Sequence, residues 1–441
     1  MMVRLDTRRP LFLGWREATA WMAAVVVSRL LLLLVLDRVL GGREFADDAM
    51  MLLGMADAPL ELLRGQTGRY GQHPPLLSLA LAAATQPLRG MFTDFVALRA
   101  GLVLYEALLV GFTALALQDL LPNTTHRRWT LLAVVALPSG WMTSVVLAQD
   151  ETFAAALAAA TFWLAVRGRG WAALILAGVG VVAGKLFLGV SLMALVVVLP
   201  QGTLFSRACV GAAPVALVYG WVTLAAWLQG APPPLVGFHP GAEFGINAWY
   251  WFAQSGVASV ALRRWSGLLV LVVVGVQVVW ILRTLRRADV AAHVDRAALL
   301  AMLTVALFVW VFSLFYHITC VYYLLPVPFL AAAVPMLWRK PWGPLDAVAV
   351  AVMVSVPHAT HFLGGVVRVL ASGASTGRAK GQIVEAYQTW VGIDPKWLHA
   401  LALGLCVASS LWVAVRASNW LFRLGADSVV TAHGRRPASD S

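Results

Sequence analysis

Residues 171–199 read WAALILAGVGVVAGKLFLGVSLMALVVVL, an apolar run interrupted at Gly180, Gly184 and Lys185. As one helix its 29 residues would be about 43 Å long, well beyond a hydrocarbon core of about 30 Å. The run is therefore predicted to form two membrane helices that meet at Lys185. That split decides the direction of every later span. With it, Arg207, the Arg283/Arg286/Arg287 cluster, Arg339/Lys340, Arg416 and Arg423 all fall on the side of the N-terminal Arg4, Arg8 and Arg9. Without it, most of them would lie on the opposite side. Lys and Arg in short loops stay cytoplasmic, so the N-terminus is expected inside and the Lys185 turn outside.

Composition sets the class. The chain has 441 residues, of which 60% are hydrophobic and 12% charged, with a mean hydropathy of +0.79. A soluble domain carries about 25% charged residues. Apolar runs such as 30–36, 268–280 and 297–315 recur along the whole length, enough for about eleven to thirteen spans of roughly 20 residues each. Backbone polar groups in lipid must pair within their own segment. The expected fold is therefore an all-α, polytopic transmembrane helical bundle, with a juxtamembrane helix after Pro75 in the first outer loop. The net charge of +12 is spread in short clusters between apolar runs. It lacks the aromatic-interleaved patch of a nucleic-acid binder, so no nucleic acid is expected as a partner. The segment from Trp21 to Leu36 has no A-x-A-like site after it and reads as a retained first span. Cys209, Cys320 and Cys406 are widely separated and make no metal or disulfide motif.

Acidic residues are scarce, so their positions carry information. Two clusters fall on the expected outer face: Glu44, Asp47 and Asp48 after the first span, and Asp150-Glu151 between the third and fourth. A carboxylate within hydrogen-bond reach of a hydroxyl can act as its general base, which makes Asp47, Asp48, Asp150 and Glu151 the candidate catalytic residues. Arg29 lies inside the first span, where an arginine faces the bundle interior and pairs with an acid or a ligand, or snorkels to the interface. Lys185 can hold a phosphate as a point charge, and His317 can donate to a phosphate or hydroxyl. His358 and His361 stand at i, i+3 without a third ligand in reach, so no metal site is assigned. A divalent metal remains compatible, and no other cofactor is called for. Walker A, GxGxxG and GxSxG patterns are missing, which argues against ATP-driven transport and serine hydrolysis.

The order of these features resembles the GT-C superfamily of polyprenyl-phosphate-sugar-dependent glycosyltransferases. An Arg-bearing span precedes an outer acidic pair. Then come Tyr70-Gly71-Gln72-His73-Pro74-Pro75-Leu76-Leu77, Ala148-Gln149-Asp150-Glu151-Thr152-Phe153, and Gly180-Val181-Val182-Ala183-Gly184-Lys185. The match covers roughly residues 18–200. It departs from the family where Gly71-Gln72-His73 interrupts the Tyr-Pro-Pro element and where an acidic pair replaces a single Asp. The resemblance implies inverting transfer of a mannose-like hexose or similar sugar from a polyprenyl-phosphate donor to an extracytoplasmic lipid or glycan acceptor. Asp47 or Asp48 would be the base, with Arg29, Tyr70, His73, Lys185 and His317 binding substrate. The chain then divides into a catalytic membrane module (1–228), further membrane helices with an outer aromatic loop (229–425), and a cytoplasmic tail (426–441). It would sit in the plasma or inner membrane with its active site outside. The alternatives are a secondary transporter or lipid flippase built on the broken 171–199 segment, and a non-catalytic scaffold.

Overall fold

The computed structural model describes residues 14–40, 48–67, 70–71, 73–234, 259–286, 295–315, 320–337, 343–372 and 395–434. Every regular element among them is a helix. Seven are long and apolar enough to cross a bilayer: Trp15–Arg38, Asp94–Leu120, Thr124–Val146, Leu204–Leu228, Trp265–Leu285, Arg296–Leu314 and Leu401–Arg423. Shorter apolar helices, among them Glu151–Val166, Gly170–Ala183 and Leu186–Val198, pack between them. The chain is a polytopic helical membrane protein.

The elements that position the site come from the first half. They are α1 (Trp15–Leu40), α2 (Asp48–Asp57), α3 (Leu77–Thr85), α4 (Asp94–Leu120) and α5 (Thr124–Ala136), then α6 (Pro138–Trp141) with a π-helical turn over Met142–Val146. After them come α7 (Glu151–Val166), α8 (Gly170–Ala183), α9 (Gly189–Val198) and α10 (Leu204–Leu228). In the second half are α11 (Ser259–Leu285), α12 (Arg296–Leu314), α13 (Val327–Leu337), α14 (Pro344–Ser372) and α15 (Pro395–Gly434). The expected split of 171–199 is present. Gly170 lies against Leu199 and Gln201, and Gly211 of α10 touches both Leu174 and Leu192. So α8 and α9 run side by side in opposite directions, joined at Gly184-Lys185 and a short 3-10 turn, Leu186–Leu188.

Burial is distributed as lipid requires. In the central helices α4 and α12, 78% and 89% of the most apolar stretch is buried. The peripheral α10 has 11% buried, and Leu217, Trp221, Trp227 and Leu228 point outward from it. On α11, Leu271, Val272 and Val276 are likewise exposed. So much exposed apolar surface on a single chain marks a membrane-facing wall.

Lipid tails are as apolar as leucine, so helices associate through close packing, and small residues allow it. α7 buries Ala154, Ala155, Ala156, Ala158, Ala159 and Ala160 and packs against both α4 and α8. Gly178 of α8 meets the backbone of Gly211 and the ring of Pro214 on α10, leaving no room for a Cβ. Gly178→Val is expected to force α8 and α10 apart at a cost of about 1–3 kcal/mol. A lowered thermal midpoint of the purified protein in detergent checks this; an unchanged midpoint would contradict the contact.

Candidate functional site

Two ends of the bundle can be told apart from their contacts. At one, Gln118 of α4 donates to the Gly14 carbonyl, Arg127 of α5 pairs with Glu17, Arg167 after α7 pairs with Asp119, and Arg296 donates to the Val198 carbonyl. This basal end holds Arg127, Arg167 and Arg296 together with Glu17 and Asp119. At the other end, the start of α7 meets the end of α8. Helix lengths make that end recessed. α7 and α8 rise only about 24 and 21 Å against about 40 Å for α4, and α7 ends level with α4 at the Arg167–Asp119 pair, so its start lies well below the start of α4.

Here Lys185 Nζ lies 3.1 Å from Asp150 Oδ2 and 3.0 Å from Glu151 Oε1. Both acids are 2% exposed. Local sequence explains why they meet. Asp150 opens α7, its carbonyl receiving the N–H groups of Phe153 and Ala154. Gly184, where α8 stops, fits against Ala154 one turn into α7, with no space for a side chain between them. The two helices are antiparallel neighbours, so the positive end of the α7 dipole and the negative end of the α8 dipole come together. Carboxylates suit the first and an ammonium the second. The three side chains carry a formal charge of −1, and Glu151 Oε2 is buried with no hydrogen-bond partner among the described residues.

An aromatic wall borders the cluster. Lys185 Nζ is 5.7 Å from the Tyr322 ring centroid, within cation–π range. Tyr322 in turn packs against Phe187, tilted, with ring centroids 4.9 Å apart, and Phe187 meets Phe312 and Phe315.

The segment 70–77 lies over the same end. The Leu76 N–H donates to the Val182 carbonyl in the last turn of α8. Tyr70 is buried in one packed cluster with Ala49, Leu52, Leu77 and Ala148. His73 Nε2 sits 3.1 Å from Met51 Sδ. Tyr70 and His73 therefore belong to the cap over the mouth that holds Asp150, Glu151 and Lys185. Asp48 is described as the backbone start of α2, and α2 packs into that same cluster. Asp47 and His317 lie outside the described residues.

Arg29 is brought to an acid, one of the roles open to it. Its Nε and Nη2 donate to Glu106 Oε1 at 2.9 and 2.8 Å, and Nη2 also reaches the Val135 carbonyl. Glu106 Oε2 accepts from Ser144 Oγ at 2.6 Å. Glu106 lies inside the span of α4, next in sequence to the span that carries Arg29. The only signal for the pairing is that two opposite charges lie in adjacent spans. His358 is fully buried, its ring bonded to Thr143 and to the Val354 carbonyl; the side chain of His361 is outside the described residues. Among the described residues no group of three or more His, Cys, Asp or Glu gathers as a metal site would.

No protein-family model and no curated protein matches the chain. Among solved structures it is similar to the crystal structure of ArnT from Cupriavidus metallidurans in the apo state, at 16% identity and a TM-score of 0.44. The similarity covers 91% of this chain and 78% of that one. A likeness this slight carries no argument for activity, substrate or site residues.

The charge balance of the cluster makes a prediction of its own. Lys185→Met strands two buried carboxylates beside each other, and breaking a buried ion pair on one side costs about 3–5 kcal/mol. Asp150→Asn or Glu151→Gln leaves one acid facing one base and should cost less. The combined Asp150→Asn/Glu151→Gln/Lys185→Met protein should melt above Lys185→Met alone. Thermal midpoints in detergent decide it, and a Lys185→Met protein as stable as wild type would overturn the cluster.

Proposed function

We propose that the chain is a membrane glycosyltransferase of the GT-C type, taking a hexose from a polyprenyl-phosphate carrier at the mouth that holds Asp150, Glu151 and Lys185. The observation that carries the reading is this buried cluster of two carboxylates and one ammonium, recessed at one end of a helix bundle under the Tyr70–Leu77 cap. A hydroxyl-rich substrate needs acceptors and donors close together in a dry site, and a lipid-linked one needs that site at membrane depth. The buried cluster supports the first, and the shortness of α7 and α8 beside α4 supports the second.

In this reading an acceptor hydroxyl attacks the anomeric carbon, the bond from that carbon to the carrier phosphate breaks, and inversion follows. Asp48, the first residue of α2, or Asp47 before it in sequence, takes the hydroxyl proton as general base. Asp150 and Glu151 orient sugar hydroxyls, Glu151 Oε2 being an acceptor for one of them. Lys185 has three N–H donors. Two face the carboxylates, and the third is left for an oxygen of the donor phosphate, where preorganised charge stabilises the leaving group. His73 and His317 are further donors to that phosphate, and Tyr70 shapes the cap. The acceptor is a lipid or glycan on the extracytoplasmic side, with the basal end of the bundle in the cytoplasm of a plasma or inner membrane.

The test is transfer of labelled sugar from a polyprenyl-phosphate donor by protein in nanodiscs. Asp150→Asn and Glu151→Gln should each lose on the order of 10²-fold or more in kcat, as expected when a group acting in the transition state is removed. One of Asp47→Asn and Asp48→Asn should lose nearly all activity. Full activity in both would remove the base assignment, and full activity in all four would remove the enzyme reading.

A further inference from the structure

From the Arg29–Glu106–Ser144 network we infer a positioning device: the three side chains clamp an irregular stretch of backbone and so fix where Asp150 and Glu151 stand. The catalytic part of this inference rests on the glycosyl-transfer reading, whereas the clamp itself does not.

The chain from α5 to α7 is not a continuous helix. Pro138 has no N–H to continue α5, whose last residue is Ala136. A single turn follows as α6, and then Met142–Val146 winds as a π-helix. Ala148 next takes φ +49°, a left-handed conformation that a residue with a Cβ adopts at a cost. Asp150 and Glu151 come immediately after. The stretch hangs from the π turn, since the Leu147 N–H donates to the Met142 carbonyl and the Gln149 N–H to the Thr143 carbonyl. π turns and strained residues persist only where their surroundings hold them, and they cluster at functional sites.

Glu106 and Arg29 are those surroundings. Glu106, 1% exposed on α4, binds the π turn at its middle through Ser144 and the α5 side through Arg29. Arg29 satisfies the Val135 carbonyl in the last turn of α5, a place where helix carbonyls run short of partners. Glu106 Oε1 also lies against Gly140 so closely that no Cβ fits there. One carboxylate thus ties together both sides of the Pro138 break. A buried ion pair adds little net stability compared with apolar residues of the same size, so stability alone does not account for charges at this depth. What the pair adds is direction: it fixes the register of a segment that ordinary helix bonds leave undetermined.

The test compares full-length Ser144→Ala, Glu106→Gln and the charge-free pair Arg29→Leu/Glu106→Leu in nanodiscs. Amide exchange is followed by mass spectrometry on peptides covering residues 142–151, beside kcat and KM for label transfer. Exchange there should be faster than in wild type while the thermal midpoint of the charge-free pair stays close to wild type. A displacement of about 1 Å at a reacting group costs on the order of 10²-fold, so kcat should fall about 10- to 100-fold. KM should hold within about twofold, the pattern of a lost transition-state interaction. Unchanged exchange in all three proteins overturns the clamp, as does faster exchange with wild-type kcat while Asp150→Asn and Glu151→Gln are inactive. If those two acid variants are fully active, the glycosyl-transfer reading falls and the exchange measurement alone decides the clamp. Should the charge-free pair fail to fold, Ser144→Ala gives the same decision.

Discussion

A charge placed among hydrocarbon chains has no water to turn to, so it must find its partner inside the protein. In this chain that requirement coincides with the places where helices stop. Arg29 and Glu106 meet beside the Pro138 break. Lys185 meets Asp150 and Glu151 where α8 ends and α7 begins. Arg167 meets Asp119 where α7 gives out at the basal end. A broken helix exposes N–H and C=O groups, and a nearby charged side chain is the strongest neighbour they can have. Irregular backbone at membrane depth is tolerated only when it is enclosed in protein or faces a polar cavity. The two conditions support each other: the breaks need charges, and the charges need enclosed breaks.

Small residues make the arrangement close enough to work. The Lys185 ammonium reaches two carboxylates because Gly184 lets α8 come against Ala154, and α7 can sit between α4 and α8 because most of its buried side chains are alanine. Helix dipoles then favour the same assignment of charge, acids at an N-terminus and a lysine at a C-terminus. Three independent physical terms therefore favour one cluster at one mouth. Packing closeness sets the distances, dipole direction sets the signs, and short helix length sets the depth.

The fold was legible in the sequence wherever hydrophobic length and charge decided it. The overlong 171–199 run could not be one span, and the side-by-side course of α8 and α9 follows from that length together with Gly184. The meeting of Asp150, Glu151 and Lys185 was legible as a shared face, because alternation of spans puts alternate turns on the same side. Their contact was not, since sidedness fixes which membrane face a turn lies on but not its neighbours within that face. The Arg29–Glu106 pair was half legible: a buried arginine requires an acid, and periodicity cannot say which one. The π turn and the φ of Ala148 left no mark, because Met142–Val146 is helix-compatible in sequence and the Glu106 that holds Ser144 lies far from it along the chain.

The same division into ends bears on whether the chain catalyses or carries. A carrier that alternates access must be able to open both faces around a central site. The basal end is instead tied by several separate links across different helices: Gln118 to Gly14, Arg127 to Glu17, Arg167 to Asp119 and Arg296 to Val198. Opening it would require breaking charged contacts between α1, α4, α5, α7, α9 and α12 together, one of them with an arginine that is wholly buried. The mouth end is held differently. Its cap joins the bundle through the Leu76–Val182 backbone bond, apolar packing around Tyr70, and neutral hydrogen bonds from Trp221 and Gln229 to the Leu63 and Arg64 carbonyls just before it. A bundle tied across so many helices at its basal end does not readily open there, which suits a site served through the opposite mouth, as the proposed transfer requires.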